Sequence, residues 1–289
     1  MLIDRSVSLA RYELPFRGPY GQPRPPALHE LALPPGPMPS RWDLRPLKAW
    51  RYVGVFGPEL MLCLASVRIG PARQSFWAVW DSAQQRLYER TRRGGDRGLA
   101  LEPGRARLSD AEVTLDLRLE EEAGVETICA SGGAYSWTRK QGGIRALGTI
   151  SIDGRSRPTD ARAIIDDTAA YYERHTHWYW SAGVGMARDG RAVAWNLVDG
   201  VNDPPVSSER SVWLAGDVFE PPPVRFASDL SAVDELRFDA QATRERRENL
   251  LLVRSFYRQP FGKFAGVLPG VGVELAQGFG VMEEHDVWW

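Results

Sequence analysis

The chain has 289 residues, 43% hydrophobic and 25% charged, with 36 Lys plus Arg against 37 Asp plus Glu and a formal net charge of −1. This is ordinary globular composition, long enough for one large or two modest domains and rich enough in apolar surface for a real core. The near-neutral balance gives no electrostatic footprint for nucleic acid or an anionic membrane, so neither is expected as a partner.

At the N-terminus no basic start is followed by an apolar run, and Arg5 and Arg11 interrupt the opening. No signal peptide is expected. No run of about 18 apolar residues exists, so no transmembrane segment is expected either. The expected compartment is the cytoplasm. Ten of the 21 prolines fall between Pro15 and Pro46. "LPPGPMPSRW" cannot be helix and can be strand only at an edge. Residues 1–42 therefore read as a Pro-rich arm. The interleaved Leu and Phe point to packing on the body rather than to a proline-rich ligand for a partner.

From Trp42 the text turns to strands. In Ala111 to Leu119 the residues Ala111, Val113, Leu115, Leu117 and Leu119 share one face, and Glu112, Thr114, Asp116 and Arg118 the other. That alternation marks a strand with one buried side. "GIRALGTISI", "VRFASDLSAVDELRFDA" and "ENLLLVRSFYRQ" continue the pattern. Arg90, Arg92, Arg93 and Arg97 read as a solvated loop. Asp153-Gly154, Asp189-Gly190 and Asp199-Gly200 stand between apolar runs, a strong hairpin signal. Only Ala161 to Ala170 has a case for a short helix. Cys63 and Cys129 lie in apolar strand-like runs and read as reduced core thiols.

About 16 to 18 candidate strands are too many for one sheet. The expected fold is all-β: two antiparallel lipocalin-like barrels or sandwiches, residues 43–154 and 155–289, divided near the Asp153 turn. Strand–helix alternation is missing, which argues against a parallel α/β fold.

The aromatic and glycine spacing carries a resemblance. Trp50-Arg51-Tyr52 precedes the first strong strand. Thr176-x-Trp178-x-Trp180 leads to Gly183 and Gly185. Gly190-Arg191 leads to Asn196-Leu197. Gly262-x-Phe264-x-Gly266 is followed by Gly278-x-Gly280, Glu283 and Trp288. From about Trp42 onward this resembles the bacterial "domain of unknown function 2804" family. That family is distantly similar to lipocalin-like two-barrel proteins such as carotenoid hydratases and tocopherol cyclase. The resemblance implies two calycin-like barrels and a large, mostly apolar small-molecule ligand. It transfers no catalytic residue.

Three kinds of chemistry are candidates. The first is metal binding. His175 and His177 stand at i and i+2 on one strand face, and Glu283 and His285 repeat that spacing. If the two strands were neighbours, the four could close a Zn or Fe site. A packed polar pair is the plainer reading, and no metal or other cofactor is expected. The second is proton transfer. In "YYERHTHWYW" Glu173 lies among aromatics, with His175 beside it and Asp166 a few residues before. A carboxyl in such surroundings is a candidate general acid for hydration, isomerisation or cyclisation of an apolar substrate. The plainer reading pairs these carboxylates with arginines at the surface. The third is a ligand wall. Tyr172, Trp178, Trp180, Trp195 and Trp137 either fill a barrel or line a pocket, and Asn196 is a polar residue in an apolar strand. The expected function is binding of a large apolar molecule, lipid or isoprenoid-like, in a barrel or between the barrels. The alternatives are a cofactor-independent hydratase, isomerase or cyclase, and a scaffold with filled barrels.

Overall fold

The computed structural model describes residues 9–250 and 253–289. The chain opens with β1 (Phe16–Pro19) and a ribbon of β2 (Arg41–Trp42) and β3 (Arg45–Pro46). A meander follows: β4 (Lys48–Phe56), β5 (Leu60–Ile69), β6 (Ala72–Asp81), β7 (Arg86–Arg93), β8 (Leu99–Glu102), β9 (Arg105–Ser109), β10 (Val113–Leu119), β11 (Val125–Ser131), β12 (Ala134–Ile152) and β13 (Arg155–Ala170). The second half runs β14 (His175–Ala187), β15 (Ala192–Asp199), β16 (Ser211–Leu214), β17 (Asp217–Phe219), β18 (Ala232–Val233), β19 (Leu236–Leu250), β20 (Val253–Leu268) and β21 (Val273–Trp288). Among the described residues there is no α-helix.

Two curled antiparallel sheets result, and the fold is all-β and lipocalin-like. The 11-stranded sheet runs β7-β6-β5-β4-β13-β12-β10-β9-β8, with β11 joining β12 to β1. The 8-stranded sheet runs β17-β16-β15-β14-β21-β20-β19-β18. Each curls round its own apolar interior as a half-barrel. Leu62, Leu64, Trp77, Val79, Leu117 and Ile150 fill the first. Trp195, Leu197, Val212, Phe264 and Met282 fill the second.

A third cluster lies between the sheets. Phe56, Met61, Cys63, Trp80 and Ile164 of the first sheet meet Trp180, Val184, Phe261 and Val281 of the second. This explains the two kinds of strand text. β10 has solvent on one face, so it alternates strictly: Val113, Leu115, Leu117 and Leu119 are buried while Thr114, Asp116 and Arg118 are exposed. β5 has its own half-barrel on one face and the second sheet on the other. It therefore reads as a continuous apolar run from Met61 to Ala65.

Four sequence expectations change. Residues 161–170 are not a helix but the end of β13. Ile164 and Ile165 are buried on opposite faces, against different clusters, so the strand carries no alternation to reveal it. The Asp153 turn does not divide the sheets; it is the hairpin joining β12 to β13 inside the first sheet. Asp153 (φ 48°) and Gly154 (φ 77°) both take the left-handed conformation that a two-residue hairpin favours. The chain passes between sheets at residues 171–174 instead. Asp199-Gly200 is no tight hairpin, because residues 200–210 separate β15 from β16. Arg90, Arg92 and Arg93 lie on β7 rather than in a loop, paired with Asp110, Glu112 and Glu248.

The Pro-rich arm packs on the first sheet, with Leu28, Leu31 and Leu33 against Ile128, Tyr135, Trp137 and Tyr171. β1 adds to the edge of β11. Arg24 reaches the buried Glu126 carboxylate, with Nε at 3.1 Å from Oε2. Both cysteines are free and buried. Among the described residues no helix is long and apolar enough to cross a membrane.

Candidate functional site

The two layers do not close completely where β4–β6, β12 and β13 face β14, β20 and β21. A cavity of about 160 Å³ remains between them. Its apolar lining includes Trp50, Val67, Phe76, Trp178, Trp180, Val198 and Trp289. Trp50 from the first sheet stacks on Trp178 from the second, with ring centroids 6.5 Å apart and planes 8° from parallel.

Antiparallel register sets the polar groups. On the first sheet Tyr52, Asp166 and Lys140 are consecutive cross-strand partners, so their side chains share one face. The Lys140 ammonium stands 2.5 Å from Asp166 and 3.3 Å from Glu209, which arrives on the 200–210 connection. Asp166 also accepts from Trp50 Nε1 (3.1 Å) and Thr168 Oγ1 (2.8 Å). Asn202 donates to Glu209 (2.9 Å) and to the Tyr172 hydroxyl (2.7 Å), and accepts from Ser136 Oγ (2.5 Å). Burial works against the Lys140 charge, but Asp166 and Glu209 outweigh it and raise its pKa. Burial pushes Glu209 up to about 6 against the pull of Lys140.

On the second sheet Trp178 pairs with His285, and Trp180 with Glu283. Glu283 is 8% exposed. Its carboxyl accepts from Trp178 Nε1 (3.0 Å), Tyr257 Oη (2.9 Å) and Gln259 Nε2 (2.8 Å). These donors are neutral. Burial therefore dominates and pushes Glu283 up to about 7, although the bonds from Tyr257 and Trp178 pull the other way. His285 bonds to Ser255 Oγ at 2.8 Å and stands edge-on to Trp178 and Tyr257. Burial holds its pKa down to about 3, so it is neutral near pH 7.

The residues singled out from sequence divide sharply. Asp166, Tyr172, Trp178 and Trp180 line the cavity. Asn196 lies behind it, accepting from Trp180 Nε1 (2.8 Å) and donating to the Glu209 carbonyl (3.0 Å). Trp195 belongs to the second half-barrel interior, and Trp137 lies under the N-terminal arm, bonded to Glu126. Glu173 is exposed at the surface, 3.7 Å from Arg45. His175 is also exposed, bonded to Asp286 at 2.7 Å and stacked on Trp288. In "YYERHTHWYW" β14 begins at His175, and from there His175 and His177 are exposed while Thr176, Trp178 and Trp180 are buried. Tyr171 turns under the arm while Tyr172 turns into the cavity.

The four-ligand metal arrangement is split by register. β14 and β21 are neighbours, but His175 pairs with Trp288 and His177 with Asp286, whereas Trp178 pairs with His285. The first two histidines thus lie on the opposite face of the sheet from Glu283 and His285, exposed to solvent, while the latter two face the cavity. Among the described residues no group of three or more His, Cys, Asp or Glu side chains could hold a metal ion.

Sequence reasoning missed Lys140, Glu209, Arg244, Tyr257 and Gln259. Glu283 entered only in the family-like pattern and as a metal-ligand candidate. One signal for it was available: Phe279, Val281, Glu283, His285, Val287 and Trp289 share a face by parity, so two ionisable residues interrupt an apolar row.

Fold and site define a two-sheet, lipocalin-like protein with a ligand-sized cavity at the sheet interface. The chain belongs to the family described as Domain of unknown function (DUF2804), whose model matches residues 89–289. The match takes in the motifs from Thr176 onward and leaves Trp50-Arg51-Tyr52 outside. Among curated proteins none matches the sequence.

Solved structures are similar to this chain at low identity. Kievitone hydratase from Nectria haematococca is 9% identical over 82% of this chain and 88% of its own, with a TM-score of 0.50. A candidate AttH from Nitrosomonas europaea is 15% identical over 88% of this chain and 98% of its own, with a TM-score of 0.49. CghA is 10% identical over 90% of this chain and 95% of its own, with a TM-score of 0.44.

Proposed function

We propose that the protein binds a largely apolar, ring-bearing small molecule between its sheets. We further propose that Glu283 performs cofactor-independent proton chemistry on it. The carrying observation is the Glu283 carboxyl, buried in an aromatic-walled cavity and held by three neutral donors. A carboxylic acid that keeps its proton near neutrality can protonate an alkene or enol carbon. The faces of Trp50 and Trp178 favour the cation that forms. Addition of water and loss of its extra proton gives hydration, and loss of a different carbon-bound proton gives isomerisation; attack by a second alkene of the molecule on the cation forms the ring bond, and proton loss then completes cyclisation. In each case Glu283 or a neighbouring base recovers the proton. The shared fold of a named hydratase supports this reading only as analogy.

The filled half-barrels support a ligand at the seam rather than inside either sheet. The cavity has room for on the order of ten waters, which suits two or three fused rings better than a long polyene. The free cysteines support a reducing compartment such as the cytoplasm.

The test is native mass spectrometry of protein purified from its own host, with extraction of the bound molecule. Wild type is expected to carry a small molecule that Ala65→Phe, which fills the cavity, does not. Returned to ligand-free protein in D₂O, that molecule is expected to gain deuterium with wild type and not with Glu283→Gln. A ligand-free mass for wild type ends the binding reading. Equal deuteration by both proteins ends the role of Glu283.

A further inference from the structure

We infer that the ligand is an organic anion, its charged oxygen on the Arg244 guanidinium and its rings on the tryptophan wall. The inference rests on the cavity being the ligand site. Arg244 lies on β19, lines the cavity and is 3% exposed. Its guanidinium sits between two aromatic faces, 4.1 Å from the Phe76 ring centre and 4.9 Å from that of Tyr257. A guanidinium carries five N–H donors. The hydrogen bond made here is Nη2 to Thr91 Oγ1 at 2.9 Å. Glu89 stands 3.5 Å from Nε, but its own side chain is 42% exposed, so solvent screens the pair. Phe76 and Tyr257 thus fix the plane of a buried cation that has donors to spare. That is the arrangement that binds a carboxylate, enolate or phenolate in two-point fashion.

The charges of the lining agree. Near Arg244 the wall carries Arg246 and Glu248, and Glu248 is also shared with Arg93. This cluster holds more positive than negative charge. The separate cluster on β12 and β13 has Lys140 facing both Asp166 and Glu209, so negative charge is in excess there. Trp50 and Trp178 span the two, one bonded to Asp166 and the other to Glu283. An anion with attached rings fits this polarity in one direction only. It places its charged end beside Tyr257, whose hydroxyl already bonds Glu283.

Two dyes of the same ring class separate the claims: 8-anilinonaphthalene-1-sulfonate, which is anionic, and N-phenyl-1-naphthylamine, which is neutral. Both are titrated by fluorescence at fixed salt against wild type, Arg244→Gln, Arg244→Lys and Ala65→Phe, with thermal melts confirming that each variant folds. Wild type is expected to prefer the anion by about tenfold, the size of one good charge-assisted contact. Arg244→Gln is expected to remove that preference and change binding of the neutral dye less than about twofold. Arg244→Lys keeps the charge but loses the planar fork, so it is expected to fall between; it also serves if the glutamine variant does not fold. An unchanged anion-to-neutral ratio in both Arg244 variants overturns the inference. Neutral-dye binding that Ala65→Phe leaves intact overturns the cavity reading beneath it.

Discussion

Glu283 shows how environment, rather than residue type, sets chemistry. Glu173 and Glu283 are both glutamates near tryptophans in the sequence, but one meets solvent and Arg45 and the other is buried against neutral donors in the inter-sheet cavity. The raised pKa has a stability consequence with a definite sign. The folded protein holds a proton on Glu283 up to about pH 7, while the unfolded chain releases it near the ordinary glutamate value of 4.5. Stability from this group is complete below about pH 4.5 and is lost as pH rises through about 7. Glu283→Gln mimics the protonated state. It is expected to flatten that loss, gaining up to about 3 kcal/mol over wild type at pH 8 in urea unfolding. Little difference is expected at pH 4.5. A parallel pH dependence for both proteins would show that Glu283 ionises normally. Lys140 makes the opposite case. Lys140→Met leaves Asp166 and Glu209 buried without their cation, so a loss of about 3 to 5 kcal/mol is expected at pH 8. The loss should shrink as the pH falls from 8, because Glu209 without Lys140 takes up its proton at a higher pH than the value of about 6 it has beside the lysine. A deficit independent of pH would assign the cost to lost packing instead.

At the level of strands, legibility followed the number of buried faces. β10 has one, and its alternation was readable to the residue. β13 has two, and its text could not be told from a helix. The cavity tryptophans of β14 were readable because strand parity keeps Trp178 and Trp180 together. Glu209 was not, because it sits in a polar stretch of residues 200–210 and reaches Lys140 only through the fold. Arg244 was hidden for the same reason in the charged text of β19. Register also hid one contact that joins the sheets. A Cβ built on Gly142 of β12 would lie 2.2 Å from Trp213 Cε3, on β16 of the second sheet. The strand bulges beside that glycine, between Gly142 and Ile144. Gly142→Ala must displace the indole or the strand, an overpacking cost of about 1 to 3 kcal/mol. Differential scanning calorimetry is expected to show a lowered melting temperature, and Gly142→Ala with Trp213→Leu should recover much of it. Failure of the second change to recover stability would mean that the glycine serves backbone conformation rather than the indole.

Over the whole molecule the two half-barrels depend on one surface. Separating them would bare Phe56, Met61 and Trp80 on one side and Trp180, Phe261 and Val281 on the other. At about 1.5 to 3 kcal/mol for each large side chain returned to water, the shared cluster outweighs the total stability of a typical domain. We therefore expect the sheets to unfold together despite their separate interiors. Urea transitions followed by far-UV circular dichroism and by tryptophan fluorescence should coincide. Residues 171–289 produced alone should bind 8-anilinonaphthalene-1-sulfonate strongly and aggregate, because Trp178, Trp180 and Val281 lose their cover. Two resolved transitions, or a soluble second half with native-like fluorescence, would refute this. The coupling also ties binding to stability. The cavity is built from both sheets, so it exists only while they are docked, and any molecule that fills it binds the folded state alone. N-phenyl-1-naphthylamine at 100 times its Kd should then add about 2.7 kcal/mol and raise the midpoint of the single transition. In Ala65→Phe the midpoint should not respond to the dye.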